Sequence, residues 1–115
     1  MSLVYKVCTK EEWDHAIINK FYIGSEIDIK DGFIHLSTKT QLNETVAKHF
    51  RGKNNLIIIS FISNKIQDNL KWEESRNGDF FPHYYGNLET KLAENIYELH
   101  LNADGIHEFP KNFFS

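Results

Sequence analysis

The chain has 115 residues, with 13 Lys and Arg against 16 Asp and Glu for a formal net charge of -3. That length suits one domain, residues 1–115, and that charge excludes a protein that holds duplex nucleic acid by neutralising phosphates. A hydrophobic share of 41% and a single cysteine exclude a disulfide-stapled miniature. With no signal peptide and no apolar run longer than residues 56–59, the chain reads as cytoplasmic, with no membrane partner.

In chain order, Leu3-Val4-Tyr5-Lys6-Val7-Cys8 reads as an opening strand in which Cys8 is a partly buried, inert thiol. Thr9 and Glu12 then match the capping box, and Trp13, Ala16 and Ile17 fall on one stripe, so a helix is expected over residues 10–20. Residues 21–31 break that period. Gly24, Ser25, Asp28 and Asp31-Gly32 are turn formers, and a loop is expected that ends in a turn.

Next comes Phe33-Ile34-His35-Leu36-Ser37-Thr38, read as the central strand. Leu42, Val46 and Phe50 recur every four residues and Gly52 follows, which predicts a second helix over residues 41–50. Residues 56–62 form a near-continuous β-branched and aromatic run, the pattern of a strand covered on both faces. A turn at residues 63–65, a helical turn or loop at 66–70 and a short strand at 70–73 lead into residues 75–85, a polar and aromatic stretch broken by Gly78 and Pro82 and expected to be irregular. Tyr97, Leu99 and Leu101 alternate with polar residues as in a half-buried strand, and residues 102–105 form a turn.

The chemistry is concentrated in two places. Along the central strand Ile34 and Leu36 face one way, into a core, while Phe33, His35 and Ser37 face the other, a mixture suited to a half-polar cleft. The alternative is an ordinary hydrogen-bonded histidine at the core edge. Trp72-Glu73-Glu74-Ser75-Arg76 and Phe81-Pro82-His83-Tyr84-Tyr85-Gly86 supply a carboxylate, a guanidinium, an imidazole and stacking rings, a set suited to a phosphorylated or nucleotide-like ligand; the alternative is a solvated loop. The spacing of His35 and His83 matches no zinc motif, and no metal is expected. No Gly-x-Ser-x-Gly elbow or phosphate-cradling loop is present. His35-Leu36-Ser37 resembles half of a two-histidine phosphoesterase site, but His83, His100 and His107 are not followed by the hydroxyl of a second half.

The chain also resembles the bacterial and plant domain-of-unknown-function family numbered 952. The likeness runs through Trp13, Tyr22-x-Gly24-Ser25-x-x-Asp28, the stretch from Asp31 to Thr38, Gln41, Thr45, Phe50, Trp72-Glu73-x-Ser75-Arg76 and Phe81-Pro82-His83-x-Tyr85-Gly86. That family has been grouped with ADP-ribosyltransferase-like folds, whose founding motif is a histidine on a core strand that contacts the ribose and nicotinamide end of NAD. The resemblance implies an α+β fold: a single small domain with a split antiparallel sheet, two main helices and a nucleotide-sized cleft.

Carried over by position, it gives His35 the nicotinamide ribose, with Ser37 and Thr38 in support. Glu73 takes the acidic role, stabilising positive charge as nicotinamide leaves. Arg76 and His83 meet the pyrophosphate, and Tyr22, Phe81 and Tyr85 cover the rings. Ser25, Asp28 and Ser75 complete the ligand contacts. His35, Glu73 and His83 are thus the expected catalytic residues and NAD the expected substrate. The function implied is binding of NAD or an ADP-ribosyl or phosphorylated nucleotide compound, with transferase or hydrolase activity; the alternatives are a non-catalytic sensor or interaction module using the same cleft, and a phosphoesterase.

Overall fold

The run from residue 56 becomes β4 (Leu56–Ile62), every residue of which is buried. It pairs antiparallel on one side with β1 (Leu3–Thr9) and on the other with β8 (Ala93–Leu101), which carries β9 (His107–Glu108) at the edge. The structure, a computed structural model, describes residues 2–115 apart from the side chain of Arg76. Side chains alternate along a strand, so this sheet has a core on each face. Val4, Cys8, Ile57, Ile59 and Phe61 contribute to one, Tyr5, Val7, Leu56, Ile58 and Leu99 to the other.

Helix α1 (Lys10–Asn19) starts at the expected capping box, with Thr9 Oγ1 accepting from Glu12 N and Glu12 Oε1 accepting from Thr9 N. It buries Trp13 and Ala16 on the first core, where Trp13 meets Phe61 at 6.3 Å between rings. Burying an aromatic side chain of this kind stabilises the fold by about 1.5–3 kcal/mol. Helix α3 (Leu42–His49) covers the second core with Leu42 and Val46. Cys8 is 1% exposed, and burial pushes its thiol pKa up to about 12, which makes it inert as expected.

Three expectations are corrected. Residues 21–31 are not a loop: they form β2 (Phe21–Tyr22), paired with β7 (Leu88–Glu89), and α2 (Glu26–Asp31). The turn formers Ser25 and Asp28 are themselves the capping box of α2, and Gly32, at φ 86°, is its left-handed cap rather than the turn that ends a loop. Residues 75–85 are not irregular throughout. They contain β6 (Phe80–Tyr84), the centre of a three-stranded antiparallel sheet between β3 (Ile34–His35) and β5 (Leu70–Glu74). Pro82 is tolerated because its nitrogen points to the same side as its carbonyl, which accepts from Leu36 N just beyond the end of β3, so the missing N–H costs one bond at the end of that ladder and none to β5.

The central strand is also shorter than expected. β3 has two residues, and the chain continues through a bridge between Ser37 and Tyr5 that ties this sheet to β1. The fold is α+β, with mixed helices and wholly antiparallel sheets. Among the described residues no helix is long and apolar enough to cross a membrane.

Candidate functional site

The register of the three-stranded sheet assembles the site. His35 on β3 lies directly opposite His83 on β6, and Lys71 on β5 lies opposite His83 from the other side. Paired residues in a ladder share a face, so Lys71, Glu73, His83 and His35 emerge together while Ile34 and Tyr84 turn into the core. Phe33, just before β3, stacks on His83 with ring centroids 4.1 Å apart and 24° between planes. It also meets His35 at 4.5 Å and Tyr85 at 5.3 Å.

Each histidine is joined to a carboxylate, in opposite senses. His35 Nδ1 donates to Asp28 Oδ1 at 2.6 Å, and His83 Nδ1 donates to Glu73 Oε1 at 2.7 Å. In the first couple the carboxylate is buried and the imidazole outward: side-chain exposures are 0% for Asp28 and 36% for His35. In the second the imidazole is inward at 7% and the carboxylate outward at 39%. From these two couples the outer face therefore receives one imidazole and one carboxylate, each fixed by its partner.

Asp28 is the pivot. Besides His35 Nδ1 it accepts from the backbone N–H of His35 at 3.1 Å, from Ser25 N at 2.9 Å and from Lys6 Nζ at 2.7 Å. Burial alone would raise its pKa, but the hydrogen bond from His35 and the charge and hydrogen bond of Lys6 outweigh burial and hold the carboxyl far below the usual range. Lys6 reaches it from the first-core face of β1 and also donates to the carbonyl of His35 at 3.1 Å. Gly24 makes room for this arrangement: at φ 108° it is in a conformation that L side chains rarely adopt, and a Cβ there would come within 2.6 Å of Asp28 Cβ. Gly24→Ala is expected to lower stability by roughly 1–3 kcal/mol in thermal melts; an unchanged melting temperature would contradict this account of Gly24.

Glu73 is held by two donors, since Tyr85 OH also donates to Oε1 at 2.7 Å. The hydrogen bond from Tyr85, followed by that from His83, lowers the Glu73 pKa, and the same bond raises that of Tyr85. On the β3 side, Asp31 Oδ2 lies 3.1 Å from His35 Nε2. Lys71 Nζ sits 4.9 Å from the centroid of the Tyr85 ring.

Of the residues expected at the site, the structure brings together His35, Glu73, His83, Tyr85 and Asp28, with Ser25 bound to Asp28 through its backbone. Phe81, paired with Glu73, shares this face but is buried, and the other described ones stand apart from the cluster. Tyr22 is buried in the first core, its ring 5.9 Å from Lys6 Nζ. Ser37 is buried against Thr45, with 3.1 Å between hydroxyls. Thr38 opens a helical turn and its backbone N–H donates to Gln41 Oε1. Ser75 is exposed at the β5–β6 turn, and Phe81 is buried opposite Glu73. The Arg76 side chain lies outside the described residues.

Sequence reasoning missed the roles of Lys6, Asp31 and Lys71. Lys6 had a readable signal, a charge at an inward position between Val4 and Cys8 that demands a buried partner. A cleft of about 460 Å³ lined by Val46, Arg51, Ile106 and Phe109, among others, shares no residue with the histidine face. Among the described residues no three His, Cys, Asp or Glu side chains are grouped to hold a metal ion.

The fold is similar to that of protein CC0527 from Caulobacter crescentus. Its crystal structure aligns with a TM-score of 0.89 at 41% identity, over 93% of this chain and 94% of that one. Its solution NMR structure aligns with a TM-score of 0.81 at 42% identity, over 92% and 91%. No curated protein matches the chain. The model of the family described as "Protein of unknown function (DUF952)" matches residues 7–96 and so spans the whole histidine face, and this chain belongs to that family.

Proposed function

We propose that the histidine face binds NAD or an ADP-ribosyl or phosphorylated nucleotide compound and acts on it as a transferase or hydrolase, on an ADP-ribosyltransferase-like fold. The observation that carries this reading is the outward couple of His35 and Glu73, each fixed by an inward partner. A glycosyl bond breaks through a transition state with cationic sugar character, and a preorganised carboxylate stabilises that charge without having to reorganise. Glu73 is such a group, ionised and held by Tyr85 and His83. His35 orients the sugar, Phe33 and Tyr85 offer ring surfaces, and Lys71 supplies a cation for phosphate.

The phosphoesterase reading is less well supported. His83 faces His35 with 5.5 Å between ring centroids, but its imidazole is turned to Glu73 and nearly covered, so the outward acid and base are an imidazole and a carboxylate rather than two imidazoles.

The test is a calorimetric titration with NAD, ADP-ribose and nicotinamide. Wild type is expected to bind NAD or ADP-ribose at micromolar level, about 8 kcal/mol, and His35→Ala, confirmed folded by circular dichroism, to bind at least tenfold more weakly, about 1.4 kcal/mol. Absence of binding by the wild type to all three removes the reading.

A further inference from the structure

The outward nitrogen of His35 already has a neighbour. Asp31, the last residue of α2, places Oδ2 3.1 Å from Nε2 while buried Asp28 holds Nδ1, so the ring lies between two carboxylates. With Nδ1 committed to Asp28, Nε2 is the ring nitrogen left to a ligand. Asp31 is four residues before His35 and 39% exposed, which puts it at the rim of the site rather than in its support. A ligand group that meets Nε2 must share it with Asp31 or displace Asp31.

A hydroxyl can share it. A hydroxyl meets Nε2 as donor or acceptor, whichever the ring requires, and it or a neighbouring hydroxyl donates to Asp31. A phosphate cannot, because at neutral pH it brings mainly acceptors and negative charge against a carboxylate. Glu73 adds a second outward carboxylate to the same face.

We propose that Asp31 is a specificity-determining residue that admits the vicinal hydroxyls of a sugar at His35 and turns anionic groups away from it. The inference rests on the reading of this face as the ligand site and adds the residue that selects what reaches His35.

The test follows the His35 ring by NMR in wild type and Asp31→Asn while two probes are titrated separately, inorganic phosphate and ADP-ribose. Asp31→Asn keeps size and removes charge at an exposed position. Phosphate is expected to bind Asp31→Asn about two- to fivefold tighter than wild type, the scale of a partly exposed charge pair, and to shift the His35 resonances in the variant. Equal phosphate affinity in the two proteins, or an equal shift of His35 in wild type, overturns the proposal.

The ADP-ribose arm separates the two claims. If ADP-ribose binds neither protein but phosphate gains in the variant, the ligand reading falls and the role of Asp31 in excluding anions stands. If ADP-ribose binds both alike and phosphate gains nothing, the ligand reading stands and the role of Asp31 falls.

Discussion

Asp28→Asn is expected to destabilise the protein by about 3–5 kcal/mol, because it removes one partner of a buried ion pair and leaves the other charge unmatched. Lys6 is 4% exposed and its ammonium has Asp28 as its charged partner, with the His35 carbonyl as the second acceptor. In a domain of this size the loss corresponds to a fall in Tm of roughly 10–20 °C. The double variant Lys6→Met/Asp28→Asn separates the pair from its context: with no charge left behind it is expected to recover part of the loss. Equal losses in single and double variants would mean that the His35 and Ser25 contacts, not the Lys6 charge, dominate the role of Asp28.

The pH dependence follows from the direction of the Asp28 shift. The folded carboxyl lies far below its unfolded value of about 3.9, so its contribution is fully present above that pH and is lost as pH falls toward the folded value. The gap between wild type and Asp28→Asn in denaturant melts is therefore expected to be constant from neutrality to about pH 4 and to close below it. A gap that stays open well below pH 4 would overturn this assignment to the Asp28 carboxylate.

Much of the scaffold is legible in the sequence, because period and caps act locally. The apolar run of β4, the capping box of α1 with Trp13 and Ala16 of its stripe, and the split of Ile34 and Leu36 from Phe33 and His35 are all written in adjacent residues, whereas Ile17, expected on that stripe, is 51% exposed. What escapes is what depends on distant partners. Ser25 and Asp28 favour turns and helix caps by the same side-chain hydrogen bonds, and only the helix that follows decides between them. Pro82 reads as a strand breaker until the neighbouring strand is known to stop beside it. The meeting of His35 with His83 comes from register across 48 positions, and nothing in either local sequence states it. Nor does spacing reveal which member of each histidine and carboxylate couple faces outward: that is set by α2 lying behind β3 and by Phe33 lying over His83.

The orientation of the second couple leads to the other large expected effect. Under the proposed function, Glu73→Gln keeps the shape of the side chain and removes its charge, so turnover of the nucleotide is expected to fall about 10²–10³-fold, while ligand affinity by calorimetry stays within about threefold. A fall in affinity that matches the fall in turnover would make Glu73 a binding group rather than one that acts in the transition state. Tyr85→Phe distinguishes a charged catalytic carboxylate from a merely structural one. Its hydroxyl is the larger cause of the lowered Glu73 pKa, so its removal lets the carboxyl rise toward the ordinary value of about 4.3. A carboxylate that must be ionised to act loses activity as pH falls through its pKa, so the acidic limb of the rate profile is expected at higher pH in Tyr85→Phe than in wild type. His83→Leu removes the second donor and is expected to move the limb in the same direction by less, following the order of the two causes. If neither variant moves the limb, the group that titrates in turnover is not Glu73.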